Sequence, residues 1–410
     1  MACRHGLLRC LAVISLMVSS SVPSSLANSP TDIQRLVPGN TAFAVDLYAR
    51  IARTPGNVFF SPYSVSTCLA LAYAGARGQT ESQMARVLHF PDNQSQTHAG
   101  FGALRRQLGE VGNQAAIQLD SANALWAERG QPFAPDFLKI AKSDYQANIE
   151  QADFKSSAEA VTQEINRWVS QQTKDKIQNL IPPGSLDSQT RLVLANAVYF
   201  KGIWARKFDQ PRTVNQPFRL LNGGQVNAPL MHAVEEVGYM KETDFEAVEL
   251  PYRSNLFSMV ILLPRQTDGC GALEQRLTPA LVSNSVAEMK KQKVEIFLPR
   301  FRLQSSLQLK RALVEMGMTD AFGSKADFSG MDETHQLSIS AVFHQSWGEV
   351  NEEGTEAAAA TAAGIHATAV IRPPQPPSVF KADHPFLFFI RDTRSGALLF
   401  LGRLENPQQQ

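Results

Sequence analysis

The sequence predicts one large α+β domain, and three observations carry that reading. Helical patterns crowd the first half of the chain, whereas short runs of β-branched, aromatic and leucine residues crowd the second. No internal repeat and no long linker divides the chain after its first residues. With 410 residues and 44% hydrophobic content, the chain can bury a large core. The 39 Lys and Arg balance the 38 Asp and Glu to a formal charge of +1, so no long-range field favours nucleic acid or an anionic membrane.

Residues 1–27 have the pattern of a secretory signal peptide: Arg4, His5 and Arg9 around a mostly apolar stretch from Leu7 to Val18, then Ser25-Leu26-Ala27 before the expected cleavage. The stretch is too short to span a bilayer comfortably, and no later window is apolar enough. The expectation is a secreted protein, extracellular or periplasmic, with a single domain over 28–410. Cys3 and Cys10 would leave with the leader. Of the remaining two cysteines, Cys68 in an apolar helical run reads as buried, and Cys270 between two glycines as an exposed loop thiol. Two cysteines make no disulfide framework, and neither has metal-ligand spacing; no metal and no cofactor is expected.

Four helices are legible. Ser61 caps the first, Pro62 fits its first turn, and an apolar stripe follows to Gly75. Thr80 to Gln83 has capping-box spacing and predicts the start of a second. Ala158 to Thr173 carries Ile165, Trp168 and Val169 at helical spacing, and Leu307 to Met316 stops at Gly317. Strands are predicted over Leu192 to Phe200, Leu256 to Leu263, Phe386 to Ile390 and Leu398 to Leu401, the last two as a hairpin. The almost uninterrupted apolar run at 192–200 belongs inside a sheet covered on both faces.

From Glu352 to Pro377 the chain fits neither element type. Its alanines favour helix, yet no stripe of large apolar residues could pack such a helix. With period two, Thr355, Ala357, Ala359, Thr361, Ala363, Ile365 and Ala367 fall on one face, all small or uncharged, and Glu356 falls on the other. Such a segment can enter a sheet as a new strand without burying a charge. Gly354 is a plausible hinge, and Pro373, Pro374, Pro376 and Pro377 end the strand. Composition alone is equally compatible with a flexible Ala-rich linker.

Glu353-Gly354-Thr355-Glu356-Ala357-Ala358-Ala359-Ala360-Thr361 resembles the hinge of inhibitory serpins almost residue for residue. Asn57 to Ser64, Leu194 to Trp204, Ala326 to Met331 and Phe380 to Phe386 are similar to further signatures of that family, in the family's order. The resemblance implies an inhibitory serpin of secreted, bacterial-like type. It implies the serpin fold, with three β-sheets, about eight or nine helices and an exposed reactive-centre loop at about 353–377. It also implies a suicide inhibitor of serine proteases, with cysteine proteases as further targets. The protease cleaves the loop and is trapped as an ester, in a 1:1 complex with the monomer, while the loop inserts into the main sheet. Loop insertion with release of stored strain is already a standard example of strand addition for this family.

By family spacing the scissile bond joins Thr368 and Ala369, with His366, Val370, Ile371 and Arg372 as alternatives; Arg372 precedes Pro373, which trypsin-like enzymes refuse. Small residues around Thr368 point to elastase-like or subtilisin-like targets. Ser61, Ser64, Asn196 and His344 resemble the family's hydrogen-bonded shutter and Trp204 its breach, while Glu352 and Arg300 match its ion pair at the loop base. By residue type alone, Ser61 is a helix cap and His344 a core histidine. Only Arg105 and Arg106 are basic near 101–111, so no strong heparin binding is expected. Asn93-Gln94-Ser95 is a glycosylation sequon. A non-inhibitory carrier or chaperone would carry charged or bulky residues on the inward hinge face, and a hydrolase would carry a nucleophile elbow or metal helix; neither signal is present.

Overall fold

The computed structural model describes residues 30–91, 93–110, 117–355 and 376–409. The expected leader at 1–27 and loop residues 356–375 lie outside them. The helices are α1 (Pro30–Ile51), α2 (Pro62–Tyr73), α3 (Gly78–Leu88), α4 (Gln94–Gly109), α5 (Pro135–Ile140), α6 (Phe154–Gln172), α7 (Cys270–Gln275), α8 (Pro279–Ala287) and α9 (Lys310–Glu315). The strands are β1 (Val58–Phe60), β2 (Ile117–Glu128), β3 (Asn148–Ala152), β4 (Leu192–Ile203), β5 (Val214–Arg219), β6 (Gln225–Lys241), β7 (Phe245–Pro251) and β8 (Phe257–Pro264). They continue with β9 (Lys290–Pro299), β10 (Phe301–Gln308), β11 (Ile339–Val350), β12 (Gly354–Thr355), β13 (Ser378–Lys381), β14 (Phe386–Asp392) and β15 (Leu398–Leu404).

The expected mixed α+β architecture is present. One sheet runs β10-β11-β4-β2-β3, with β12 added to β4. The other path runs β1-β15-β14-β8-β7-β6-β9-β13, with β5 on β6. Two of the three expected sheets are joined in this second path, because the long β6 pairs with β5 and β9 over much of its length and with β7 at its end.

Local chemistry accounts for the elements around the first sheet. Ser61 Oγ accepts the Ser64 N–H at 3.1 Å, and Pro62 begins α2 where a missing N–H costs nothing. Every residue of α2 is buried, so this helix is apolar all round and lies inside the protein. Asp153 caps α6 through the Ser156 N–H at 2.9 Å, and Val161, Ile165 and Val169 bury one stripe. Strand β4 is covered on both faces. Val193, Ala195, Ala197 and Tyr199 join the cluster under α6, while Leu192, Leu194, Val198 and Phe200 join the main core.

Four sequence expectations change. Helix α3 begins at Gly78 rather than at a Thr80 box, because Thr80 is buried and its Oγ1 accepts the Asp327 N–H at 3.0 Å. The helix expected from Leu307 starts at Lys310, since Leu307 and Gln308 finish β10 opposite His344 and Phe343. Helix α6 starts at Phe154, earlier than Ala158, because Asp153 supplies the cap. Cys270 is fully buried at the start of α7 rather than exposed in a loop.

Candidate functional site

The six-stranded sheet holds two parallel pairs, β2 with β3 at its edge and β11 with β4 at its centre, and the central pair forms the seam that concerns function. Strands β10 and β11 are antiparallel, as are β2 and β4, but β11 and β4 run parallel, with Trp347 opposite Tyr199 and His344 opposite Asn196. A strand that turns back from the end of β11 would be antiparallel to both β11 and β4. The seam is therefore a place where one more strand fits with standard pairing on each side.

The chain makes that turn. After β11 ends at Val350, Asn351 and Gly354 close a tight bridge, and β12 pairs antiparallel with Ile203 and Gly202 at the end of β4. Gly354 has φ +142°, and a Cβ there would stand 2.1 Å from the Gly202 carbonyl oxygen, so only glycine fits. From there the connection runs to β13, which is parallel to β9 in the other sheet. The two ends of the 356–375 segment are thus anchored on different sheets.

Beneath the seam the predicted shutter residues come together. The Ser61 N–H donates to His344 Nε2 at 3.1 Å, and Ser61 Oγ donates to the Leu399 carbonyl of β15 at 2.6 Å. Because Nε2 accepts, His344 Nδ1 carries the proton and donates to Asn196 Oδ1 across the seam. Asn196 Nδ2 reaches Ser64 Oγ at 2.6 Å and contacts Asn123 of β2. Burial pushes the His344 pKa down to about 3, so the ring is neutral. One network therefore ties β11, β4 and β2 to the start of α2 and to β15.

At the turn, Arg300 Nε lies 2.7 and 2.8 Å from the two Glu352 carboxylate oxygens, and Thr213 donates to the same group at 2.5 Å. Burial would raise the Glu352 pKa, but these hydrogen bonds outweigh it and hold the carboxyl below its ordinary value. Trp204 is stacked on Tyr252 at 4.6 Å, its Nε1–H donates to the Asn351 carbonyl at 3.0 Å, and its N–H donates to the Glu353 carbonyl at 2.9 Å. Lys207 ion-pairs Glu353.

Glu353, Gly354 and Thr355 thus sit at the open end of the seam. Glu356, Ala357, Ala358, Ala359, Ala360 and Thr361, together with Thr368, Ala369, His366, Val370, Ile371 and Arg372, lie outside the described residues. Sequence reasoning missed Asn123, Lys207 and Thr213. Their contacts come from segments far apart in the chain, and no local pattern marks them. Cys68 and Cys270 are free and buried, and burial raises each thiol to about 12, which leaves no reactive thiolate at either. Among the described residues, no group of three or more His, Cys, Asp or Glu could hold a metal ion.

Comparison with known proteins places this geometry among relatives. A family model described as "Serpin (serine protease inhibitor)" matches residues 38–407. The leukocyte elastase inhibitor of Sus scrofa is 41% identical over 385 residues, covering 92% of this chain and 100% of the relative. An uncharacterized serpin-like protein of Thermococcus kodakarensis is 40% identical over 367 residues, covering 90% of this chain and 84% of the relative. Among solved structures, the native stressed conformation of an Arabidopsis serpin superposes with a TM-score of 0.82 at 30% identity, covering 92% of this chain and 99% of the other. Relatives from an animal, an archaeon and a plant assign no lineage to the chain.

Proposed function

This chain belongs to the serpin family of protease inhibitors, and from that premise we propose that it is a secreted, single-use trap for elastase-like or subtilisin-like serine proteases. The β11–β4 seam with β12 already paired at its open end carries the mechanism. Continuing the β12 register residue by residue along β4 would set Ala358 opposite Tyr199, Thr361 opposite Asn196 and Ile365 opposite Leu192. Directly opposed residues share a face in an antiparallel pair. Thr355, Ala357, Ala359, Thr361, Ala363 and Ile365 would then face the main core with Leu194, Val198 and Phe200. Glu356 would face outward, opposite the half-exposed Lys201.

The inserted strand would exhaust β4 at Ile365, so Thr368 would be drawn just past the far end of the sheet. At roughly 3.3 Å per residue, the twelve residues of β4 that it would pass span about 40 Å. A protease esterified to Thr368 would travel with it. Inhibition then depends on insertion outrunning hydrolysis of the ester, which the small side chains at Ala357 to Ala360 favour. The name of the pig relative and the small residues around Thr368 both support elastase-like targets.

Incubation with elastase, subtilisin, chymotrypsin and trypsin, followed by denaturing gels and mass spectrometry, tests this proposal. The expected result is a 1:1 adduct with elastase or subtilisin that survives denaturant, and release of the peptide beginning at Ala369. Cleavage without adduct across the panel would refute the trap. For secretion, the mature amino terminus should be Asn28, and an uncleaved chain retained in the cell would refute it.

A further inference from the structure

Residues 173–181 return from α6 across the outer face of the six-stranded sheet and are fixed at both ends. Thr173 Oγ1 accepts the Ile177 N–H at 3.1 Å, and Asn166 exchanges hydrogen bonds of 2.8 and 2.9 Å with Ile181. Ile177, Leu180 and Ile181 are buried in the cluster beneath α6. Between these anchors, Lys174 ion-pairs Asp120 of β2 at 3.2 Å. Lys176 carries its Nζ 5.4 Å from the ring centroid of Tyr199 and 5.4 Å from that of Trp347. Those rings are register partners on β4 and β11, with centroids 5.1 Å apart, and Arg302 of β10 stands 5.8 Å from the Trp347 ring.

We propose that Lys176 is a positioning residue for loop insertion: its ammonium bridges the Tyr199 and Trp347 rings across the seam and must be displaced before the new strand passes. This inference rests on the insertion mechanism proposed above. Both rings attract the same cation through their π faces, and the anchored return segment limits how far Lys176 can stray. Insertion of a strand separates Tyr199 and Trp347 from one strand spacing to two, about 10 Å. The side chain of the new strand then occupies the midpoint, so the ammonium can cover only one ring. The double contact therefore belongs to the closed seam alone, and losing it lowers the barrier to insertion and loosens the inserted form less than the closed one.

The test is annealing of a synthetic peptide with the sequence of residues 355–367 into the intact protein, followed by native mass spectrometry. Wild type is compared with Lys176→Met, which keeps an unbranched side chain one atom shorter and without charge, and with Lys176→Arg. The Met variant is expected to anneal about fivefold faster, the Arg variant at close to the wild-type rate, and the Met substitution to lower the melting temperature less in the loop-cleaved form than in the native one. Annealing of the Met variant at the wild-type rate would overturn the proposal, and so would Arg behaving like Met. A melting loss as large in the cleaved as in the native Met variant would reduce Lys176 to ordinary packing. If wild type takes up no peptide at all, the insertion mechanism itself fails, and the role of Lys176 with it.

Discussion

Among single residues, His344 and Gly354 are each held by a specific neighbour. Unfolded, the His344 imidazole takes up a proton near pH 6.5; folded, burial postpones this to about pH 3. Between these values the unfolded chain holds the extra proton, so stability is intact above pH 6.5 and falls as the pH drops through the window, by up to a few kcal/mol. Protonation would also turn Nε2 into a donor facing the Ser61 N–H that it now accepts. His98, pushed down to about 4 by burial first and by Arg77 second, adds a similar slope. Melting temperature against pH for wild type and His344→Gln separates the two, because the difference between the curves belongs to His344. The wild-type curve should fall more steeply below pH 6.5, and parallel curves would exclude the role. For Gly354→Ala, the positive φ and the clash with the Gly202 carbonyl predict a loss of about 1–3 kcal/mol in chemical denaturation. An unchanged midpoint would show that β12 does not hold this geometry.

Among the elements, β12 and the seam separate inhibition from simple cleavage. A side chain at position 355 or 357 would enter the core between β4 and β11, where a charge costs several kcal/mol to bury. Thr355→Arg should therefore still be cut by the target protease but form little stable adduct, which would appear on a denaturing gel as cleaved inhibitor beside free enzyme. A full yield of adduct would contradict the core-facing register. Agreement between sequence and structure is best for elements set by local chemistry. The Ser61 cap, the Pro62 first turn and the apolar run of β4 are legible because each signal lies within a few residues of the element it makes. Leu307 and Gln308 read as helix but pair as strand because their partners, His344 and Phe343, lie far along the chain. Thr80 has the spacing of a cap but is bonded to Asp327, and Cys270 stands between glycines yet is buried at the start of α7.

For the whole molecule, the insertion mechanism requires the uninserted chain to be a stressed state whose seam can still take one strand. A twelve-residue insertion would replace the single β4–β11 ladder with one ladder to each strand, a net gain of about one ladder. At about 0.5–1.5 kcal/mol net per bond, the loop-cleaved protein should melt roughly 10–30 °C above the intact one. Scanning calorimetry before and after limited proteolysis of the loop measures this directly, and equal melting temperatures would show that cleavage does not lead to insertion. The intact form persists because β11 and β4 are already bonded to each other and the shutter spans them, so a barrier rather than an equilibrium preserves it.

The period-two face of the loop, the hinge at Gly354, the candidate shutter residues and the family resemblance can all be read without coordinates, because they are written in side-chain size, charge and order along the chain. Folding had to settle that β11 and β4 run parallel, that Arg300 and Thr213 converge on Glu352, and that Lys176 lies over Tyr199 and Trp347. Each of these depends on which distant segments become neighbours, and strand direction and cross-sheet contact leave no periodic trace in the residues that make them.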